Sequence, residues 1–77
     1  MSERDINLRG LKCPLPALRT RKALAALPPG DLLNVECTDP LAEIDIPHLV
    51  RETGDLLEAT TRRGDALVFR IRKRSAL

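Results

Sequence analysis

Aromatic residues are almost missing from this chain: Phe69 stands alone, with no Trp or Tyr among 77 residues. Modules that hold unpaired bases rely on stacked rings, so no direct nucleic-acid binding is expected. Histidine occurs once, at His48, and there is no Cys-x-x-Cys pair. That excludes the usual zinc ligand sets, and no metal is expected. No apolar run approaches the ~20 residues that cross a bilayer. The first residues, Met1-Ser2-Glu3-Arg4-Asp5, are polar and partly acidic, unlike a secretory leader. Two cysteines, Cys13 and Cys37, are too few for a disulfide framework. The expected compartment is the cytoplasm, where both remain thiols. A glycine-rich phosphate loop, a Ser/His/Asp set and a carboxylate pair at acid-base spacing are all lacking.

What is present is an aliphatic chain of Leu, Ala, Ile and Val with a net charge of +2. That charge is too small for a phosphate-binding field, although contact with an acidic partner stays open. The length predicts one domain over residues 1–77 with one modest core. Ile6 and Leu8 alternate with Asp5, Asn7 and Arg9 as a short first strand ending at Gly10. A helical pattern then runs to about Leu27, with Pro14 at the first helical position and Pro16 still in the first turn. Ala17, Thr20, Leu24 and Leu27 share its predicted buried side; Leu15, Arg19 and Lys22 lie opposite, with Leu18 towards them. Asp31 to Cys37 reads as a second strand. Thr38-Asp39-Pro40 signals a helix start, with Asp39 as cap. Leu41, Ile44, Leu49 and Val50 predict a second helical region, broken near Ile46 by Pro47 and ending at Gly54. Leu56 to Thr61 forms a third strand, Arg62-Arg63-Gly64-Asp65 a hairpin loop, and Ala66 to Arg72 a fourth strand with Leu67, Phe69 and Ile71 inward. Residues from Lys73 to Leu77 read as a frayed tail. The predicted order is β-α-β-α-β-β: an α/β (α+β) two-layer sandwich, its four-stranded mixed sheet carrying both helices on one face.

Cys13 precedes Pro14, so it occupies or borders a helix N-cap. Unpaired N–H groups and the positive end of the helix dipole favour a thiolate there, and Lys12 and Arg9 add positive charge. The expectation is a thiol of depressed pKa, and hence a reactive one. The flanking prolines stiffen the entry and leave Cys13 projecting towards a partner. The competing reading is a buried cysteine acting as a small hydrophobe. His48, beside Pro47 in another element, is the one candidate base and reads as a surface or capping residue. A reactive thiol without catalytic company suggests a group carrier driven by its partners.

Leu8-Arg9-Gly10-Leu11-Lys12-Cys13-Pro14-Leu15-Pro16 resembles the signature of the TusA/SirA-like sulfur carrier family, whose motif is Cys-Pro-x-Pro. The resemblance continues in order through Arg21-Lys22, Pro29-Gly30-Asp31, Thr38-Asp39-Pro40, Asp45-Ile46-Pro47 and Arg70-Ile71-Arg72-Lys73, over nearly the whole chain. It implies the same β-α-β-α-β-β sandwich and a persulfide carried on Cys13, with Lys12, Pro14, Pro16 and Arg9 in support. It implies a sulfurtransferase-like carrier without turnover of its own and without a cofactor beyond the covalent persulfide. Sulfur would come from a cysteine desulfurase or rhodanese-type donor. It would pass to a relay ending in tRNA thiolation, molybdenum cofactor assembly or sulfur oxidation; some relatives handle selenium. Outward Leu15, with Arg19 and Lys22, would align the partner. No membrane association or obligatory oligomer is implied.

Other residues keep two readings. Cys37 is either a core cysteine at a strand end, the favoured reading, or a resolving thiol for Cys13, which would make the chain a thiol-disulfide redox protein. A non-catalytic interaction or regulatory module is a further alternative. Arg70, Arg72, Lys73 and Arg74, joined by Arg62 and Arg63, read as the solvated, aggregation-blocking face of an edge hairpin or as a basic docking surface. Asp45 reads as a cap of the second helical piece rather than as a participant in transfer.

Overall fold

A computed structural model describes residues 2–74 of the chain. The elements are β1 (Glu3–Leu8), α1 (Leu15–Ala26), β2 (Leu32–Cys37), α2 (Ala42–Thr53), β3 (Leu56–Arg63) and β4 (Ala66–Arg72). The strands form one sheet in the order β1-β2-β4-β3. β1 and β2 run parallel, and the other two pairings are antiparallel. This is the predicted mixed sheet, with α1 and α2 packed on each other and against the sheet.

Alternation explains the burial. In β4, Leu67, Phe69 and Ile71 are buried while Val68, Arg70 and Arg72 are only partly covered. In β2, Leu33, Val35 and Cys37 point the same way. They meet Leu24 and Leu27 from the α1 end and Ala42, Ile46 and Val50 from α2 in one aliphatic cluster around Phe69. Each fully buried aliphatic side chain contributes ~1.5–3 kcal/mol, so a core of this size can hold a short chain without disulfides.

Several expectations are corrected. The second helical region is unbroken: α2 continues through Pro47. Proline removes one backbone bond and crowds one carbonyl, but Ala42 and Ile46 before it and Leu49 and Val50 after it are all buried. The sheet therefore holds both halves in line. Leu41 and Ile44, read as part of the helical apolar pattern, are instead 51% and 68% exposed. The β3–β4 connection is tighter than predicted, because Arg62 and Arg63 belong to β3 and pair with Leu67 and Ala66. Only Gly64 and Asp65 turn the chain; Gly64, at φ 61, takes the left-handed backbone that a two-residue hairpin turn needs at its first position. Residues 73 and 74 are not frayed. The Gly30 N–H donates to the Lys73 carbonyl, the Lys73 N–H to the Asp31 carbonyl, and the Arg74 N–H to Asp55. The rest of the predicted tail, residues 75–77, lies outside the described residues.

The two helix-entry loops are stitched together. The Gly10 N–H donates to Thr38 Oγ1 at 2.9 Å, and the Cys13 N–H donates to Asp39 Oδ2 at 2.6 Å. The other oxygen of Asp39 accepts from the Leu41 N–H at 3.1 Å. The sequence placed the cap of α2 at Asp39 and its first residue at Pro40; the helix instead begins at Ala42, with Leu41 at the N-cap and no side-chain cap. Asp39 holds the turn that leads into α2, and it also pins the loop ahead of α1. β1 and β2 are parallel, so both loops leave the same edge of the sheet, and Asp39 can join them there.

Candidate functional site

Cys13 sits on that edge, exposed, while Cys37 is buried; both are free thiols. The Cys13–Pro14 peptide is cis, Pro14 is the N-cap residue of α1, and the helix begins at Leu15. Pro16 is buried within the first turn, where a missing N–H leaves no bond unmade. Pro16 therefore helps to seat the first turn of α1 on the buried side, while Pro14 is exposed. Cys13 is left just outside the helix, held by its own N–H on Asp39.

The sulfur of Cys13 donates a hydrogen bond to Asp45 Oδ2 at 2.9 Å. Asp45 is in the first turn of α2, so the second helix supplies what faces the thiol. The hydrogen bond to Asp45 pushes the Cys13 pKa up, helped by burial and by the charges of Asp45 and Asp39. This reverses the expected depression, and the reason is geometric. Arg9 is turned across the sheet onto Glu36 at 2.9 Å and Asp65 at 2.7 Å. Its charge is neutralised there rather than lent to the sulfur. The nearest charged contact of the thiol is anionic. Lys12, Arg19 and Lys22 are exposed, and none of them is hydrogen-bonded to Cys13 among the described residues.

A groove of ≈ 220 Å³ opens beside Cys13 between the helices, with Ala17, Leu18 and Leu49 as its apolar lining. Cys13 and Asp45 contribute to it together with Arg21, His48 and Glu52. Arg21 and His48 both approach Glu52 Oε1, at 3.6 and 3.5 Å. His48 shares the groove with Cys13 without a hydrogen bond to it. Leu15 and Leu18, on the first turns of α1, are 44% and 55% exposed, and Leu41 and Ile44, at the start of α2, are exposed as well. The outward Leu15 side of α1 is as predicted. The exposure of Leu41 and Ile44 was not, because apolar spacing marks a helix without saying which of its residues face water.

Cys37 is 1% exposed and belongs to the core cluster. Burial, with Asp39 and Glu36 adding to it, pushes its thiol up to about 11. It is the core cysteine that was the favoured reading. Of the basic cluster, Arg70 is paired with Glu3 and Glu58, and Arg72 with Glu58.

The residues that sequence reasoning missed are Asp45 and, in its bond to Cys13, Asp39. Asp45 lies 32 positions from Cys13, and only the fold brings the two together. The signal available was Asp45-Ile46-Pro47, which reads as the cap of a second helical piece and does not point to the thiol.

Residues 4–73 match the family described as Sulfurtransferase TusA. The chain belongs to the TusA family. A Neisseria meningitidis protein with a sulfur-carrier name is 45% identical over 65 residues, which is 83% of this chain and 88% of that protein. YrkI of Bacillus subtilis is 41% identical over 73 residues, 94% of this chain and 96% of its own. The sulfur carrier protein TusA of Allochromatium vinosum is 35% identical over 71 residues, 92% and 93% of the two chains. The matched TusA segment spans all six elements and includes Cys13, Asp39 and Asp45. No helix among the described residues is long and apolar enough to cross a membrane.

Proposed function

We propose that this TusA-family chain is a sulfur carrier that bears a persulfide on Cys13. The observation that carries the reading is the placement of the two thiols: Cys13 is exposed at the mouth of the inter-helix groove and Cys37 is sealed in the core. The sulfur-carrier name of the Allochromatium relative agrees with it. In the loading step the Cys13 sulfur, as thiolate, attacks the outer sulfur of a donor persulfide. The donor S–S bond breaks, the donor thiolate leaves, and Cys13 holds the transferred atom. An acceptor thiolate repeats the same exchange on the outer sulfur and regenerates Cys13. Electrons balance without an external oxidant or reductant, so no cofactor is required.

The donor is read as a cysteine desulfurase or rhodanese-type protein, and the acceptor as the next member of a relay serving tRNA thiolation, molybdenum cofactor assembly or sulfur oxidation. Exposed Leu15 and Leu18 on α1 and Leu41 and Ile44 at the start of α2, with exposed Arg19 and Lys22 on α1, suit a transient protein partner. A redox role with Cys37 is disfavoured, because a thiol that is 1% exposed is poorly placed for exchange. The test is intact mass after incubation with a cysteine desulfurase and cysteine. A gain of about 32 Da, reversed by a reductant, is expected in wild type and Cys37→Ser and absent in Cys13→Ser. The same gain in Cys13→Ser, or none in wild type, defeats the reading.

A further inference from the structure

The thiol of Cys13 is not set up as a ready nucleophile. Its sulfur donates to Asp45 Oδ2 at 2.9 Å, and its N–H donates to Asp39 Oδ2 at 2.6 Å. One carboxylate fixes the backbone and the other takes the proton end of the side chain. The charged and titratable groups around the sulfur come from every neighbouring element: Lys12 in its own loop, Asp39 in the loop before α2, Asp45, His48 and Glu52 on α2, and Arg21 on α1. Arg21 lies 3.6 Å from Glu52, and Arg9 is occupied by Glu36 and Asp65 on the far side. The carboxylates, and not the cations, make the contacts to Cys13. A thiolate at hydrogen-bond distance from a carboxylate places two anions together, which favours the protonated sulfur.

We propose that Asp45 is a positioning residue that holds unloaded Cys13 as an aimed, protonated thiol, reserving sulfur acceptance for a donor whose docking surface brings a basic side chain to Asp45. This rests on the carrier reading for its purpose but not for its test. A cation arriving at Asp45 draws the carboxylate away from the sulfur, and the thiol proton then leaves to the donor's base or to water. The resulting thiolate attacks the outer sulfur of R–S–SH, the donor S–S bond breaks, and R–S⁻ recovers a proton. The net exchange is Cys13–SH plus R–S–SH giving Cys13–S–SH plus R–SH, with no change in total oxidation state. Small thiol reagents, which bring no cation, meet the protonated form. The partner chemistry this implies is apolar contact for Leu15, Leu18, Leu41 and Ile44, with a basic group set opposite Asp45 and Asp39.

The experiment is the pH profile of Cys13 alkylation by iodoacetamide, followed by intact mass on the full chain. It needs no sulfur transfer, so it can fail while Cys13 loading succeeds, and the reverse. The wild-type midpoint is expected above that of free cysteine. Asp45→Asn is expected to lower the midpoint, raising the thiolate fraction at pH 7 about tenfold for each unit of that shift and the rate by roughly three- to fourfold, because a less basic thiolate is a weaker nucleophile. Asp39→Asn, which removes a charge but not the bond to the sulfur, is expected to lower it less. An unchanged or raised midpoint in folded Asp45→Asn overturns the proposal. If Asp45→Asn fails to fold, the wild type decides alone through its thiolate absorbance on titration. A midpoint at or below that of free cysteine overturns the proposal as well.

Discussion

On the open face of the sheet, Arg9 bridges Glu36 and Asp65, Arg70 reaches Glu3 and Glu58, and Asn34 donates to Glu3 and Asp5. At the helix edge around Cys13 the pattern inverts. There Leu15, Leu18, Leu41 and Ile44 stand in solvent, and two carboxylates turn towards one thiol. The hollow on the sheet face is the larger, at ≈ 520 Å³ against ≈ 220 Å³ beside Cys13. Size does not choose the site. Much of the charge on the sheet face is already matched within the chain, so a partner there would have to displace existing pairs. The helix edge exposes apolar surface that only a partner can cover, next to the one exposed thiol. Function is assigned to the region whose interactions the chain itself leaves incomplete.

The largest effect expected from breaking this contrast is at Cys13. Cys13→Ser removes sulfur loading entirely and leaves thermal unfolding close to wild type, because the residue is exposed and its N–H bond to Asp39 is retained. Next in size are the exposed leucines of α1. Leu18→Asp combined with Leu15→Asp places two charges where a partner must desolvate them. The transfer rate from a donor protein should fall by roughly tenfold or more, since charges buried without partners at an interface cost a few kcal/mol. Loading by inorganic polysulfide, which needs no docking, should fall much less, by no more than the added negative charge beside the thiol explains. Equal loss with both sulfur sources would show that these leucines support the site rather than the docking.

The two cysteines sharpen the same contrast through pH. Cys13 is held protonated chiefly by Asp45, at the surface. Cys37 is held protonated chiefly by burial, with its folded value pushed up to about 11. A folded pKa above the unfolded one gives stability that is complete below the unfolded value and lost as pH rises through the folded one. For Cys37 that window is about pH 9 to pH 11, where wild-type stability should fall by roughly 2–3 kcal/mol relative to neutral pH. Denaturant titrations of wild type and Cys37→Val across this range check it. The difference between them should grow with pH, and parallel curves would mean that Cys37 is not sealed in the core.

The elements whose pattern is strictly local were legible beforehand. β4 alternates without a break, Pro28-Pro29-Gly30 ends α1, and Cys13 lies against its own helix start. What was not legible depends on contacts across the sequence. Pro47 reads as a helix break until the burial of residues on both sides of it is known. Leu41 and Ile44 read as part of one helical apolar pattern with Leu49 and Val50, yet they face water, because apolar spacing does not say what lies opposite. Arg9 reads as a cation for Cys13 by nearness in sequence, yet Asp65, 56 positions away, takes its guanidinium. Asp45 illustrates the same limit: it reads as the cap of a second helical piece, yet α2 is unbroken and Asp45 lies inside its first turn as the thiol's partner, because β1 and β2 are parallel and deliver both loops to one edge.

The smallest effect should come from the sheet face, and it completes the comparison. Arg72 donates to Glu58 and to the Gly30 carbonyl, and Arg70 also approaches Glu58. The hydrogen bond from Arg72 holds the Glu58 carboxyl below its ordinary range. A depressed folded pKa gives a contribution in place at neutral pH and lost as pH falls through the folded value. Exposed pairs of this kind are screened and worth little each. Glu58→Gln should therefore flatten the acid side of the stability profile slightly, and the change should shrink further at high salt. Sulfur loading and donor-dependent transfer should be unchanged. If Glu58→Gln instead slows donor-dependent transfer without altering polysulfide loading, the sheet face is part of the docking surface. Its charges would then be matched to a partner as well as to one another.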